Sequence, residues 1–265
     1  MITDTDIHDL LAIASEVLDA AAPRFAAGLG LPGRIEKSGN DFATPSDLEL
    51  ERTLSTRLHS QTGIPVHGEE FGGPELTSGT VWVLDPIDGT FNYSAGSPLS
   101  GILLALLHDS NPVLGLTWLP LLDYRYTAVR GGPLALNGKP VPALQPTRLA
   151  DTMIGFSTFN LPARSPTPDS FRFDLVSAAG RRSLRLRMHG STGIDLAFTA
   201  SGVLGGAVAL GSNAWDNAAG VAQLRSAGAI VTDIVGQPWT ITSNSLLAGA
   251  PGVHDELLRI VQEIV

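Results

Sequence analysis

Helices and short strands alternate loosely along this sequence, which predicts a mixed α and β fold (α+β or α/β). Three observations point there. Apolar residues recur at helical spacing in some stretches and form short β-branched runs of strand length in others. Hairpin signals crowd the first half, whereas strand–helix units fill the second. With 265 residues, 43% of them hydrophobic and 16% charged, the chain can bury a substantial core.

At the N-terminus, Thr3, Asp4, Thr5 and Asp6 supply N-cap candidates ahead of Ile7 to Phe25. Ile7, Leu10, Leu11, Ala14, Val17, Leu18 and Ala21 recur every three or four positions, so one amphipathic helix is expected there. Gly28-Leu29-Gly30 and Pro32-Gly33 end it. The turn-rich Glu36 to Asp41 joins two short strands. Thr44-Pro45-Ser46-Asp47 then opens a second helix, capped by Ser46 or Asp47, with Leu48 to Leu58 as its body. Ile64 to Val66 and Val81 to Leu84 read as strands flanking a loop, Phe71 to Thr80, rich in Gly, Pro, Ser and Thr. Gly101 to His108 and Pro112 to Leu119 form a hairpin turned by Asp109-Ser110-Asn111. Tyr124 to Val129 is a further strand, Asn137-Gly138 a tight turn and Val141 to Pro146 a surface edge.

A boundary is expected near Pro146 to Asp151. It divides residues 1–148, an N-terminal α+β domain, from residues 149–265, a C-terminal α/β domain, the two forming one compact unit. Thr152 to Ser157 begins the second part as a strand, and Leu161 to Pro168, with three prolines, is an irregular connection. Phe171 to Ala179 is helical, and Arg181 to Met188 is a strand carrying four arginines. In an acidic chain those arginines suit a solvated face or a subunit contact better than a nucleic-acid patch. Thr192 to Ser201 is a helix, Val203 to Leu210 a strand, Ala214 to Ser226 a helix and Ile230 to Asp233 a strand. Pro251 to Val265 closes the chain as an amphipathic helix.

The net charge of −9 argues against a general electrostatic hold on nucleic acid. An anionic phosphate ester stays open, because a bound divalent cation would reverse the sign locally. The absence of cysteine excludes disulfides and thiolate metal sites and agrees with a cytoplasmic protein. The first ten residues are acidic and do not read as a signal peptide, and no apolar run is long enough to span a membrane. Neither a G-x-S-x-G elbow nor a G-x-x-x-x-G-K-[ST] loop occurs.

The chemistry concentrates in Val81 to Tyr93, VWVLDPIDGTFNY. The apolar run stops at Asp85, where Pro86 removes a backbone donor and fixes φ. Within a few positions come two carboxylates (Asp85, Asp88), a glycine able to adopt positive φ (Gly89) and a hydroxyl (Thr90). Carboxylates so close repel unless a cation lies between them, and an oxygen-rich cluster suits Mg²⁺. Alone, the stretch reads equally as an Asp-Pro/Asp-Gly turn ending a strand. Upstream stands His67-Gly68-Glu69-Glu70, and downstream Trp215-Asp216-Asn217-Ala218-Ala219-Gly220.

G-E-E, D-P-I-D-G-T and W-D-x-A-A-G, in this order and spacing, resemble the inositol monophosphatase family of Mg²⁺-dependent, lithium-sensitive phosphatases. The likeness covers nearly the whole chain and is nearest to actinobacterial members through HGEEFGG, the stretch from Asp85 to Pro98, and MHGSTGID. It implies a layered α-β-α-β-α sandwich with the active site between the two halves, a homodimer, and two Mg²⁺ ions, with room for a weaker third near Glu69. By the same likeness, Glu69, Asp85 and the Ile87 carbonyl hold the first ion; Asp85, Asp88 and Asp216 hold the second. Asp47, which by itself reads as a helix N-cap, pairs with Thr90 to orient the attacking water, and Glu69 joins them in the catalytic set. Backbone N–H groups of Gly89 and Thr90 hold phosphate oxygens. Gly190, Ser191 and Thr192 hold the organic part of the substrate, which Asp88 and Asp216 also border.

Other residues near these motifs have plainer readings. Asp216 alone would be a helix N-terminal aspartate. Glu70 is the lesser ligand of its pair, Lys37 a surface lysine with at most an electrostatic contribution, and His67 and His189 structural. The expected substrate is myo-inositol monophosphate or a related polyol phosphate; fructose-1,6-bisphosphate, histidinol phosphate, nucleotide 3′-phosphates and a non-catalytic binding role are the alternatives. One departure bears on that choice. Family members of the animal type carry a glutamate seven residues before the W-D aspartate, on an inositol hydroxyl, and here that position is Ala209. Ser212, Asn213 or Asp195 would have to replace its contact.

Overall fold

Thr3 opens the first helix by a reciprocal cap: Asp6 N–H donates to Thr3 Oγ1 (3.2 Å) and Thr3 N–H donates to Asp6 Oδ2 (2.8 Å). The computed structural model describes residues 3–37, 41–156, 168–211 and 213–264. Helix α1 (Asp4–Asp19) is followed by a separate α2 (Ala22–Gly28), where the sequence predicts one helix. Pro23 explains the break: it has no N–H to continue the ladder and its ring would crowd the carbonyl four residues earlier. The hairpin β1 (Ile35–Glu36) and β2 (Phe42–Ala43) leads to α3 (Pro45–Thr62). Neither Ser46 nor Asp47 is its cap. Thr44 is, with Asp47 as the returning partner at the third helical position.

Strands β3 (Val66–Gly68), β4 (Thr80–Asp88), β5 (Gly101–His108), β6 (Asn111–Leu119), β7 (Tyr124–Val129), β8 (Ala135–Leu136) and β9 (Lys139–Pro140) form a seven-stranded sheet in sequential order. Only β3 and β4 run parallel. The five-residue α4 (Thr90–Ser94) interrupts the series after β4. Strand β4 does not stop at Asp85, as its proline suggests, but reaches Asp88 through a register shift between those two aspartates. Val141 to Pro146 is no strand; it is tied down by single bonds such as Leu144 N–H to Ala227 O.

A five-stranded sheet follows, in the order β11-β10-β12-β14-β13. It contains β10 (Met153–Phe156), β11 (Arg185–Arg187), β12 (Gly206–Ala209), β13 (Ile230–Thr232) and β14 (Leu246–Gly249). Helix α5 (Asp169–Arg182) takes in Arg181 and Arg182, so the four arginines are split between a helix end and an edge strand. Helices α6 (Thr192–Ala200), α7 (Ala214–Ser226) and α8 (Val253–Ile264) complete the chain. Ser157 and most of the proline-rich connection, residues 161–167, lie outside the described residues, as do residues 38–40 of the expected first turn.

Side-chain alternation builds the layers. On β4 and β5, Trp82, Leu84, Ile102, Leu104 and Leu106 pack with Leu18 of α1 and Leu50 and Leu54 of α3. The intervening Val83, Leu103, Ala105 and Leu107 face Ile194, Leu196, Ala218 and Val221 of α6 and α7, which also cover Ala207 and Ala209 of β12. Val208 points the other way, toward Leu175 of α5 and Leu257 of α8. The result is the α-β-α-β-α sandwich. No described helix is long and apolar enough to cross a membrane.

Candidate active site

The register shift in β4 turns both aspartates of D-P-I-D inward; Asp85 is 1% exposed and Asp88 6%. Ile87 N–H, released from the ladder, donates to Asp85 Oδ1 at 3.0 Å. Gly89 follows at φ +83°, the left-handed conformation that only a glycine adopts cheaply, and starts α4 at Thr90. Thr90 Oγ1 lies 3.1 Å from the Ile87 carbonyl and 3.4 Å from Asp47 Oδ1. Asp47 Oδ2 meanwhile accepts from Thr44 N–H (2.8 Å) and Thr44 Oγ1. The capping carboxylate of α3 thus reaches Thr90 with its other oxygen.

Asp216 comes from the opposite half, in the first turn of α7, with Asn213 Nδ2 donating to its Oδ2 at 3.1 Å. Oxygens of Asp85, Asp88 and Asp216 lie within 4.8 Å of one another. Glu69, just past β3, is anchored by its N–H to Leu84 O (3.1 Å), and its carboxylate stands beside that of Asp85 and repels it. Lys37 bridges Glu69 Oε1 (2.8 Å) and Glu70 Oε1 (2.6 Å), so this lysine is no bystander on the surface.

Burial and then mutual repulsion dominate the electrostatics. Burial, followed by the charges of Glu69, Asp88 and Asp216, raises the Asp85 carboxyl well above its ordinary range. Burial, then Glu69 and Asp88, does the same to Asp216. Asp88 is pushed up to about 7 by burial, against the hydrogen bonds it accepts. Burial also lifts Asp47, to about 6, although Thr44 opposes it. Glu69 is raised by burial despite Lys37. Burial works against the Lys37 ammonium, yet Glu69 and Glu70 together outweigh it and hold the group charged. Clustered hard oxygen donors that resist ionising together are a donor set suited to Mg²⁺, and these residues fit such ions.

Asp88 also joins the two halves. Its Oδ2 accepts from Ser191 Oγ and from Gly193 N–H (2.8 Å), and its Oδ1 from Thr192 N–H (3.1 Å), at the N-terminus of α6. A Cβ at Gly193 would lie 2.8 Å from that Oδ2 and 2.3 Å from Leu103, so only glycine admits the contact. Gly190 (φ +74°) is held by Asn92, whose Nδ2 donates to the carbonyls of Leu99 and His189, each at 2.7 Å. Ser191 and Thr192 therefore face Asp88, and Gly190 and Ser191 abut the Gly89 turn.

Glu51 and the His189–Asp195 pair escape the sequence reading. Glu51, 1% exposed, accepts from the backbone of Glu70 and Phe71 and is lifted to about 7 by burial. Its signal was its position four residues after Asp47, on the same helix face. His189 Nδ1 donates to Asp195 Oδ1 at 2.6 Å, and burial pushes Asp195 up to about 6. His67 donates from Nδ1 to Pro74 O (2.9 Å) and stacks on Trp215 with centroids 6.1 Å apart. Ala209 is 3% exposed at the end of β12. Of the three groups named to replace a glutamate there, Asn213 already serves Asp216 and Asp195 serves His189, while Ser212 lies outside the described residues.

Comparison with known proteins gives this arrangement a lineage. The model of the inositol monophosphatase family matches residues 4–265. The inositol-1-monophosphatase ImpA of Mycolicibacterium smegmatis is 53% identical over 253 residues, 96% of this chain and 92% of that protein. The probable inositol 1-monophosphatase ImpA of Mycobacterium tuberculosis is 54% identical over 261 residues, covering 98% and 97%. The Nus factor SuhB of Escherichia coli is 28% identical over 97% of both chains. Among solved structures, the IMPase of Thermotoga maritima superposes with a TM-score of 0.87 at 24% identity, over 97% of this chain and 98% of its own. Sequence and fold agree across nearly the full length, and the chain belongs to the inositol monophosphatase family.

Proposed function

We propose that this protein is a Mg²⁺-dependent phosphomonoesterase that hydrolyses myo-inositol monophosphate or a closely related polyol phosphate. The observation that carries the proposal is the meeting of Asp85, Asp88 and Asp216 oxygens within 4.8 Å, beside the Thr90–Asp47 pair. Glu69, Asp85 and the Ile87 carbonyl would hold one ion, and Asp85, Asp88 and Asp216 a second. When bound, such ions mask the phosphoryl charge, supply the attacking water and stabilise the leaving oxygen. Thr90 Oγ1, 3.4 Å from Asp47 Oδ1 and 3.1 Å from the Ile87 carbonyl, would accept a hydrogen bond from a water held there while turning its own proton to Asp47. Burial lifts the Asp47 carboxyl to about 6, and a cation bound beside it would favour the ionised form, the form that can accept the threonine's proton. The Gly89 turn would hold phosphate oxygens, and the adjoining start of α6, Gly190 to Thr192, the alcohol.

Two mycobacterial relatives above 50% identity bear an inositol monophosphatase name, which favours that ester. Phosphate release with and without Mg²⁺, across inositol 1-phosphate, fructose-1,6-bisphosphate, histidinol phosphate and a nucleotide 3′-phosphate, tests the assignment. Turnover of inositol phosphate only with Mg²⁺ is expected; turnover of none would shift the reading to a binding role. A homodimer, millimolar lithium inhibition and a cytoplasmic location belong to the same proposal, testable by sedimentation, inhibition and fractionation.

A further inference from the structure

We propose that Glu51 is a positioning residue for the first metal site, one that aims Glu69 by fixing the turn on which it stands. The proposal rests on the reading of Glu69 as a ligand. Glu51 is buried on α3, one helical turn after Asp47. Its Oε2 accepts from Glu70 N–H at 2.8 Å and its Oε1 from Phe71 N–H at 2.9 Å. Glu69 N–H is taken by Leu84 O of β4 at 3.1 Å. Three consecutive amides are thereby held, one by the sheet and two by a single carboxylate, and the Gly68–Gly72 pair closes the turn with bonds of 3.0 and 3.1 Å. A Cβ at Gly68 would lie 2.0 Å from Glu51 Oε1, so the G of G-E-E is the space this carboxylate occupies.

The carboxylate is used through both oxygens, one to each donor; a glutamine in the same pose would keep one of these bonds and turn its own N–H₂ toward the other donor. Helix α3 then governs both sides of the site: Asp47 orients Thr90, and Glu51 orients Glu69. Supporting residues of this kind typically alter metal affinity by 10–100-fold when replaced.

The test compares wild type with Glu51→Gln and Gly68→Ala, each folded as judged by circular dichroism. Gly68 does not have positive φ, so alanine suits its backbone but displaces the carboxylate. Two readouts are taken: the Mg²⁺ concentration giving half-maximal phosphatase activity, and the rise in Tm on adding Mg²⁺. Both variants should need about tenfold more Mg²⁺, with kcat at saturating metal within about twofold of wild type. At a fixed, wild-type-saturating Mg²⁺ concentration, the Tm increment should shrink by ~3–5 °C, the equivalent of a tenfold weaker ion. If Glu51→Gln fails to fold, Gly68→Ala decides alone. A wild type whose Tm and activity ignore Mg²⁺ would overturn the metal reading itself. A wild type that responds, with variants keeping its midpoint or losing only kcat, would overturn the role of Glu51.

Discussion

Replacing Asp85 by asparagine should stabilise the metal-free protein and, at the same time, abolish most of its stabilisation by Mg²⁺. Asp85 shares a space of 4.8 Å with Asp88 and Asp216 and also meets Glu69. Two unit charges at that distance repel by about 3 kcal/mol at an effective dielectric near 20. The raised carboxyls mean that the cluster is only partly ionised at neutral pH, so the repulsion relieved is smaller, about 2 kcal/mol. For a chain of this size that corresponds to roughly 4–8 °C in Tm. The assay is thermal melting at pH 8, in EDTA and again in saturating Mg²⁺. Asp85→Asn should melt above wild type in EDTA and below it in Mg²⁺. A variant that melts below wild type in both would refute charge repulsion as the dominant property of this site. An undiminished Mg²⁺ increment would rule out Asp85 as a shared ligand.

Thr90→Ala and Asp47→Asn should each lower kcat with little change in KM, and the double variant should be no worse than the poorer single, since both serve one hydrogen bond; fully additive losses would separate them. The metal-free protein should lose stability as pH rises. Asp47, Glu51, Asp88 and Asp195 all have folded values lifted to about 6 or 7, so their contribution is fully present below the unfolded carboxyl range near 4 and is lost as pH climbs through 6 and 7. His254, whose buried imidazole is shifted downward, opposes this but is one group against four. A Tm in EDTA that rises from pH 5 to pH 8 would contradict the sign. Ala209→Glu should lower KM for inositol monophosphate more than for glycerol phosphate, at some cost in Tm because the position is buried; equal changes for both esters would show that another group reads the ring.

The layering was legible because its cause is local. Alternation along Val81 to Leu84 and Gly101 to His108 sends odd and even residues to different helices, and that pattern is written residue by residue. Glu69, Asp85, Asp88 and Asp216 were legible as carboxylates in recurring motifs. What the sequence hid depends on partners remote in the chain. Pro86 reads as a stop, but β5 continues to pair with Asp88 and carries β4 past it. Strand β14 is four apolar residues with no period of their own, and becomes a strand by lying between β12 and β13. Glu51 looks like an exposed helix glutamate until a turn nineteen and twenty residues away donates two amides to it. Lys37 looked solvated for the same reason: Glu69 and Glu70, which hold it, are more than thirty residues distant.

Asp88 joins the two halves and still keeps oxygen capacity for the proposed metal site. A carboxylate oxygen has two acceptor positions, four in all. Ser191 Oγ and Gly193 N–H fill both on Oδ2, while Thr192 N–H fills one on Oδ1. One position on Oδ1 remains, and through it Asp88 would meet a cation in the proposed site. The three donors also lower the cost of ionising Asp88, against burial, and the positive end of α6 works in the same direction. Asp85, with one backbone donor and four acidic neighbours, Glu69, Asp88, Asp216 and Asp47, has no such support. Asp88 is therefore the better supported of the two as an anion. That difference follows from where each aspartate stands: Asp88 at the junction of the two sheets, and Asp85 enclosed by other carboxylates.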